Sequence, residues 1–275
     1  MTRIEPEYAA ARKVLLDALE ALEPHLPNLV LVGSQAIYLH TGDARLAVPP
    51  MTTDADLALD TERLADEPEI AAALAARGFA PGANPGHWIG EGDVAVDIMV
   101  VPHQAGTTAN AARSARIPPH SKRVGRIARG LEPALVDNAW AAIVAFDASD
   151  RRAFTLKVAG PAALLAAKAI KIAERADDAR RQPDRLKEKD ALDMFRLLQA
   201  VDTQVLAAGL DRHRDSPEAV AVSLEGMAFV AANARTPDDL LPRLAAAAAF
   251  GDPAIGPAFA ALASQLAEAL HLPDC

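Results

Sequence analysis

Asn28 to His40 reads NLVLVGSQAIYLH, and this stretch decides the fold. Leu29 to Val32 is a short apolar run of the kind that forms a buried strand. Gly33-Ser34 then opens a helix running to about Leu39, with Ser34 as its N-cap. A strand that ends in a Gly-Ser turn at a helix start offers backbone N–H groups and a hydroxyl, which suit phosphate oxygens. The same dipeptide also serves as an ordinary strand-to-helix turn with a serine cap.

Two acidic strands follow. TTDADLALD (52–60) predicts a strand from Asp54 to Leu59. Residues two apart on a strand share a face, so Asp54 and Asp56 aim two carboxylates the same way. They read either as metal ligands or as a solvated strand edge. VAVDIMVV (94–101) predicts a third strand, with Asp97 set among Val94, Val96, Ile98 and Val100. A charge in such a run is costly unless it has a partner, which would be a bound cation or a structural ion pair. Three carboxylates beside a phosphate-sized turn describe a site for a divalent metal and a nucleoside triphosphate.

The chain has 275 residues, 51% of them hydrophobic, which is ordinary for a globular protein with a sizeable core. The formal charge of −9 argues against an all-over basic nucleic-acid binder, although it permits a local basic surface. One cysteine, Cys275, allows no intrachain disulfide and fits a reducing cytoplasm. No stretch reads as a signal peptide or a membrane span, so no membrane partner is expected. GxxxxGK, HExxH, GxSxG and paired-cysteine zinc spacings are all missing. Without a Walker A loop, a triphosphate has to be gripped in another way.

Elsewhere the periodicity predicts a helix over residues 7–22 and another over 61–77 that closes at Gly78. Strands are expected at 141–146 and 154–158, joined by the turn DASDRR. Pro161 starts a helix, KEKDALDMFRLLQA is helical again after a polar break at 180–187, and further helices fill 201–275. The expected organisation is an α/β (α+β) core over 1–160 and a helical C-terminal domain over 161–275. Tyr38 reads as core, and His87-Trp88 as a packing pair at a strand start.

Two charged clusters complete the inventory. Arg113, Arg116, Lys122, Arg123, Arg126 and Arg129 occur with no acidic residue among them. They suit the phosphates of RNA or of a nucleotide, or else form a solvated loop. Lys168 and Arg175 lie seven apart on one helix face, and Asp190 and Asp193 are neighbours on the next helix beside Lys189. A lysine on such an apolar helix either reaches triphosphate oxygens or snorkels to solvent.

VGSQA, TDADLAL and VDIM, taken in order, resemble the core signature of the DNA polymerase β-like nucleotidyltransferase superfamily. The later LLAAKAIKIAER and KEKDALDMFRLL resemble the distal motifs of the AbiEii-type toxins, including the mycobacterial MenT toxins. The resemblance covers about residues 29 to 198. The chain departs from it in having Gly33-Ser34 where many members have Gly-Gly, and a long interval, GDARLAVPPMT, before Asp54. An arginine often precedes the DxD in AbiEii-like proteins, and here Arg45 is the nearest.

The resemblance implies a mixed sheet flanked by helices, with the helical C-terminal domain completing the active-site cleft. It implies Mg2+ or Mn2+, and an NTP such as ATP as the substrate. A nucleotide would pass to an acceptor, tRNA first and a small molecule as the alternative, with pyrophosphate released. Asp54, Asp56 and Asp97 would hold the metal, and Asp97 would also help deprotonate the acceptor. Gly33 and Ser34 would bind the phosphates, and Lys168 would neutralise the triphosphate. Arg175, Lys189 and Asp193 take the remaining nucleotide-binding positions, and Asp190 would orient Lys168 or contact the acceptor. A toxin of this kind would modify tRNA in the cytoplasm and have a cognate antitoxin. A catalytically silent relative that binds a partner is the rival of another class.

Overall fold

The computed structural model describes residues 4–42, 48–107, 113–179 and 186–270. Arg45, Cys275 and most of the 180–187 break lie outside them. The chain divides into two compact units, Met1–Ala36 with Pro49–Ala159, and Ile37–Val48 with Gly160–Cys275.

The first unit is α+β. Its strands are β1 (Leu29–Val32), β2 (Asp54–Leu59), β3 (Ala80–Pro81), β4 (His87–Ile89), β5 (Ala95–Val100), β6 (Arg126–Ile127), β7 (Asn138–Val144) and β8 (Ala153–Ala159). Among the described residues they form one open mixed sheet in the order β3-β4-β5-β2-β1-β8-β7, with β6 beside β5. β2 pairs parallel with β5, and β1 pairs antiparallel with β2 and parallel with β8. α1 (Pro6–Ala21) covers this sheet with Tyr8, Ala11, Val14, Leu15, Ala18 and Leu19 buried. Those residues are the helical stripe expected from the sequence.

β2 and β5 share one burial pattern. The first and third residues of each are half-buried, and the other four are buried. Their later halves, Leu57–Leu59 and Ile98–Val100, are thus covered on both faces. Their first halves leave one face accessible, and that face carries Asp54, Asp56 and Asp97.

Two expectations need correction. Residues 61–77 are not one helix, because α3 spans only Ile70–Ala76. Pro68 is the reason: its ring and missing N–H break a helix interior, and it pushes the preceding residue into extended backbone. The helix starts just after it, where the Glu69 side chain accepts from Ala72 N–H at 2.7 Å. Ser34 is not the residue that opens its helix either. α2 spans Gly33–Thr41, and Gly33 at its first position has φ +67°. The left-handed turn at glycine starts the helix one residue earlier and leaves Ser34 buried inside it.

The second unit is helical in its described residues: α5 (Pro161–Ala179), α6 (Glu188–Ala200), α7 (Thr203–Arg212), α8 (Pro217–Asn233), α9 (Leu240–Ala248) and α10 (Ile255–Ala269). The short α4 (Glu132–Val136) belongs to the first unit and was not expected. α6 is the centre of the second core. Ala191, Leu192, Met194, Phe195, Leu197 and Leu198 are buried there, and Phe195 stacks on Phe259 of α10 with ring centroids 6.0 Å apart. No described helix is long and apolar enough to cross a membrane.

Candidate active-site residues

The sheet register brings the acidic strands together. Asp56 of β2 is the Cα partner of Asp97 of β5, and Asp97 is in turn the partner of His87 on β4. On the other side Asp56 faces Val32, the last residue of β1. Paired residues on adjacent strands point to the same face, so Asp56, Asp97 and His87 stand in one row, with Asp54 two residues from Asp56 on that face.

Gly33 closes the row. A Cβ built on it would overlap Asp56 Oδ2 and come within 2.7 Å of Cγ and 2.8 Å of Cβ. The Asp56 side chain thus packs directly on the Cα of the turn. Any larger residue at 33 meets both this overlap and the strain of a left-handed φ.

Each carboxylate also has fixed company. Asp97 Oδ1 lies 2.6 Å from His87 Nδ1, and Arg126 reaches Oδ2 at 3.4 Å. An ionised carboxylate only accepts, so the His87 nitrogen carries the proton in this contact. Thr52 donates its hydroxyl to Asp54 Oδ1 at 2.7 Å. Gln35 donates its side-chain amide to the Asp54 carbonyl at 3.1 Å, and its own Oε1 accepts from Arg12 Nε at 2.9 Å. Arg12 is 1% exposed, donates also to the Val144 carbonyl at 3.0 Å, and sits over the Phe146 ring at 4.5 Å. Burial, partly offset by Tyr8, lowers the Arg12 pKa from its ordinary value. Arg12 and Gln35 together bracket the start of β2 from α1 and α2.

His87, Arg126, Thr52, Gln35 and Arg12 were not singled out from the sequence for this site. The sequence suggests a packing pair of His87 with Trp88. Trp88 does pack, at 2% exposure, while His87 points its ring at Asp97. Alternation along β4 separates the two roles: adjacent residues face opposite sides.

The distal residues lie in the second unit and gather around two buried aspartates. Lys168 donates to Asp190 at 2.7 Å and to Asp193 at 2.8 Å. Arg175 meets Asp190 at 2.7 Å, Lys171 meets it at 3.1 Å, and Lys189 meets Asp193 at 3.3 Å. The Tyr38 hydroxyl lies 3.4 Å from Asp193, and the Lys189 ammonium lies 5.7 Å from the Tyr38 ring centre. Four cations thus surround two carboxylates. Lys168 is buried, while Lys171 and Lys189 have half-exposed side chains.

Burial is the largest single influence on both buried partners and works against their charges. The cations outweigh it at Asp190, whose pKa falls below the usual carboxylate value under Lys168, Lys171 and Arg175. Asp193 and Asp190 outweigh it at Lys168, whose pKa rises above the usual lysine value.

Among the described residues no group of three or more His, Cys, Asp or Glu side chains is arranged to hold a metal ion. The donor chemistry of Asp54 and Asp56 nevertheless fits Mg2+. That ion is usually bound by one or two carboxylates together with substrate phosphates and retained waters, not by an all-protein cage. Comparison with known proteins found no matching family model, no matching curated protein and no matching solved structure.

Proposed function

We propose that the protein is a divalent-metal-dependent nucleotidyltransferase that moves an NMP from an NTP to an acceptor hydroxyl, with tRNA as the acceptor. The observation that carries this reading is the row of Asp56 and Asp97 on neighbouring parallel strands, with the Gly33 turn packed against Asp56. Asp54 and Asp56 are the residues that would hold Mg2+ or Mn2+, with Asp97 beside them. When bound, the ion neutralises phosphate charge and orients the triphosphate.

The chain's own groups divide the remaining work. Backbone N–H groups at the start of α2, from Gly33 and Ser34, suit triphosphate oxygens. Asp97, steadied by His87 and Arg126, accepts the proton from the acceptor hydroxyl. The acceptor oxygen bonds to the α-phosphorus, the bond from that phosphorus to the bridging oxygen breaks, and pyrophosphate leaves. In the second unit, Lys168, Lys171, Arg175 and Lys189 supply a surplus of positive charge over Asp190 and Asp193, which is chemistry for phosphate oxygens.

Incubation of the protein with labelled NTPs, Mg2+ and total tRNA tests the reading. Wild type should label tRNA, and Asp56→Ala should lose labelling by about 100-fold or more. Equal labelling by Asp56→Ala would overturn the assigned site. Label on an aminoglycoside in place of tRNA would make the protein a small-molecule adenylyltransferase. Growth arrest on expression, relieved by a second protein, would make it the toxin of a toxin–antitoxin pair.

One observation favours a second reading. Both Asp97 oxygens are already engaged, by His87 and by Arg126, as suits a catalytically silent binding module. Thermal unfolding with NTP and Mg2+ separates the two, because a ligand that binds only the native state raises the midpoint. An unmoved midpoint would favour the silent module.

A further inference from the structure

From Ile98 to Leu131 the chain contains no Asp or Glu, yet it carries Arg113, Arg116, Lys122, Arg123, Arg126 and Arg129. This concentration of positive charge sits in a protein with a formal charge of −9. Such an imbalance is an electrostatic footprint in its own right.

The described part of this segment is built, not loose. Ile127 N–H donates to the Arg113 carbonyl at 2.8 Å, and Ala115 N–H donates to the Gly125 carbonyl at 3.0 Å, so residues 113–127 fold back on themselves as an arch. Ser114 and Arg126 form an antiparallel bridge within it. The arch is fastened to the sheet through β6, which pairs parallel with β5, and through Ala128 N–H to the Val100 carbonyl at 2.9 Å. Val124, fully buried, accepts at its carbonyl from the Trp88 indole at 3.2 Å. Gly86 N–H donates to the Arg123 carbonyl at 2.9 Å. A backbone held at so many points presents its charges in a defined arrangement.

Arg113, Arg116, Lys122 and Arg123 are exposed. Among the described residues, Arg113, Arg116 and Lys122 have no ion-pair partner. The Arg123 guanidinium donates to the Gly82 carbonyl, which carries no net charge. The first acid after the segment, Glu132, is buried and accepts from Gly130 N–H at 2.7 Å. Arg126 turns to the carboxylate of Asp97, and Arg129 acts on the buried carboxylate of Glu132. The arch therefore leads from exposed, uncompensated cations to the acidic row.

We infer that the 113–126 arch is a docking surface for the phosphate backbone of RNA, and that it delivers the acceptor to the Asp97 end of the row. The inference rests on the nucleotidyltransferase reading for its direction of delivery, though not for binding itself. The segment contains no Phe, Tyr or Trp, so base stacking contributes nothing there. Recognition is through phosphate charge and is tolerant of sequence.

Fluorescence anisotropy with a labelled tRNA, without NTP or metal, tests it. Binding should weaken with salt, and each phosphate neutralised adds about 0.7 to 0.9 to the magnitude of the log–log slope. The triple variant Arg113→Gln/Arg116→Gln/Lys122→Gln should lower that slope by about 2 to 3 and weaken binding at least about tenfold at low salt. All three side chains are exposed, so its melting temperature should match wild type. Arg214→Gln, an exposed cation in the second unit paired with Asp211, should bind as wild type does.

Asp56→Ala should also bind RNA normally, which keeps this test apart from the test of catalysis. Unchanged affinity and slope in the triple variant would overturn the inference. So would competition by polyglutamate as effective as competition by RNA at equal charge, which would make the partner an acidic protein.

Discussion

Gly33→Ala is expected to abolish nucleotidyl transfer in a protein that still folds. The added methyl would coincide with the Asp56 carboxylate, with Cγ 2.7 Å and Cβ 2.8 Å from the new carbon. Side chain and turn cannot both stay in place, so the carboxylate shifts along the row or the turn opens. A misplacement of about 1 Å at a reacting centre can cost about 100-fold in rate, and a loss of at least that size is expected in the tRNA-labelling assay. The left-handed φ of +67° adds a cost of about 1–2 kcal/mol for a residue with a Cβ, visible as a lowered melting temperature. The double variant Gly33→Ala/Asp56→Ala removes the overlap with the carboxylate and leaves only the 2.8 Å approach of the two Cβ atoms. It should melt above Gly33→Ala while remaining inactive. Wild-type turnover in Gly33→Ala would mean that the turn and Asp56 do not work together.

The second large effect concerns stability. Lys168→Met removes the ammonium shared by Asp190 and Asp193 and leaves two buried carboxylates facing partly exposed cations. Breaking a buried ion pair from one side typically costs about 3–5 kcal/mol, because the remaining charge is stranded. Urea unfolding should show a loss of that order. The triple variant Lys168→Met/Asp190→Asn/Asp193→Asn should recover much of it, since no stranded charge remains.

The pH dependence follows from the directions of the shifts. Asp190 is depressed in the folded protein, so its contribution is present above the usual carboxylate value and is lost as pH falls through the folded pKa. Lys168 is raised, so its contribution is present below the usual lysine value and is lost as pH climbs through the folded pKa. The cluster should therefore contribute a constant stability between about pH 5 and pH 9. In Lys168→Met the Asp190 carboxyl loses its buried cation, and acid destabilisation should begin at higher pH than in wild type. A Lys168→Met protein as stable as wild type across this range would show the network to be dispensable.

The parts of the fold that were legible in the sequence are those whose signal is local. Leu29–Val32 and Asp54–Leu59 are strands with the limits expected, because an unbroken apolar run or a period-two pattern is written in consecutive residues. Pro161 opens α5 as its fixed φ and missing donor allow. The helix expected over 61–77 failed because its apolar spacing outweighed the local veto of Pro68. The short strands β3 and β6 were not legible, since two residues carry no periodicity and they form by pairing with β4 and β5.

The site divides in the same way. The face shared by Asp54 and Asp56 follows from a spacing of two, and Asp190 with Asp193 follows from a spacing of three on a helix. The partners of those residues do not follow. His87 and Arg126 reach Asp97 through strand pairing that leaves no sequence spacing to detect, while Thr52 reaches Asp54 from two residues before it, where no hydrophobic pattern marks a hydroxyl as a partner. Arg12 stood on a helix whose apolar stripe was recognised. The stripe alone gives no sign that a guanidinium within it would hold Gln35 and, through it, the start of β2.

The matched burial of β2 and β5 has a mechanical consequence. The inner halves of both strands are sealed against solvent, so their amide hydrogens can exchange only when much of the first unit opens. Asp56 and Asp97 stand one residue before that sealed stretch, and Asp54 two residues further back, all anchored to the part of the backbone least able to breathe. Motion during a catalytic cycle then has to come from loops, helix ends and the incoming molecules, while the carboxylate platform keeps its spacing.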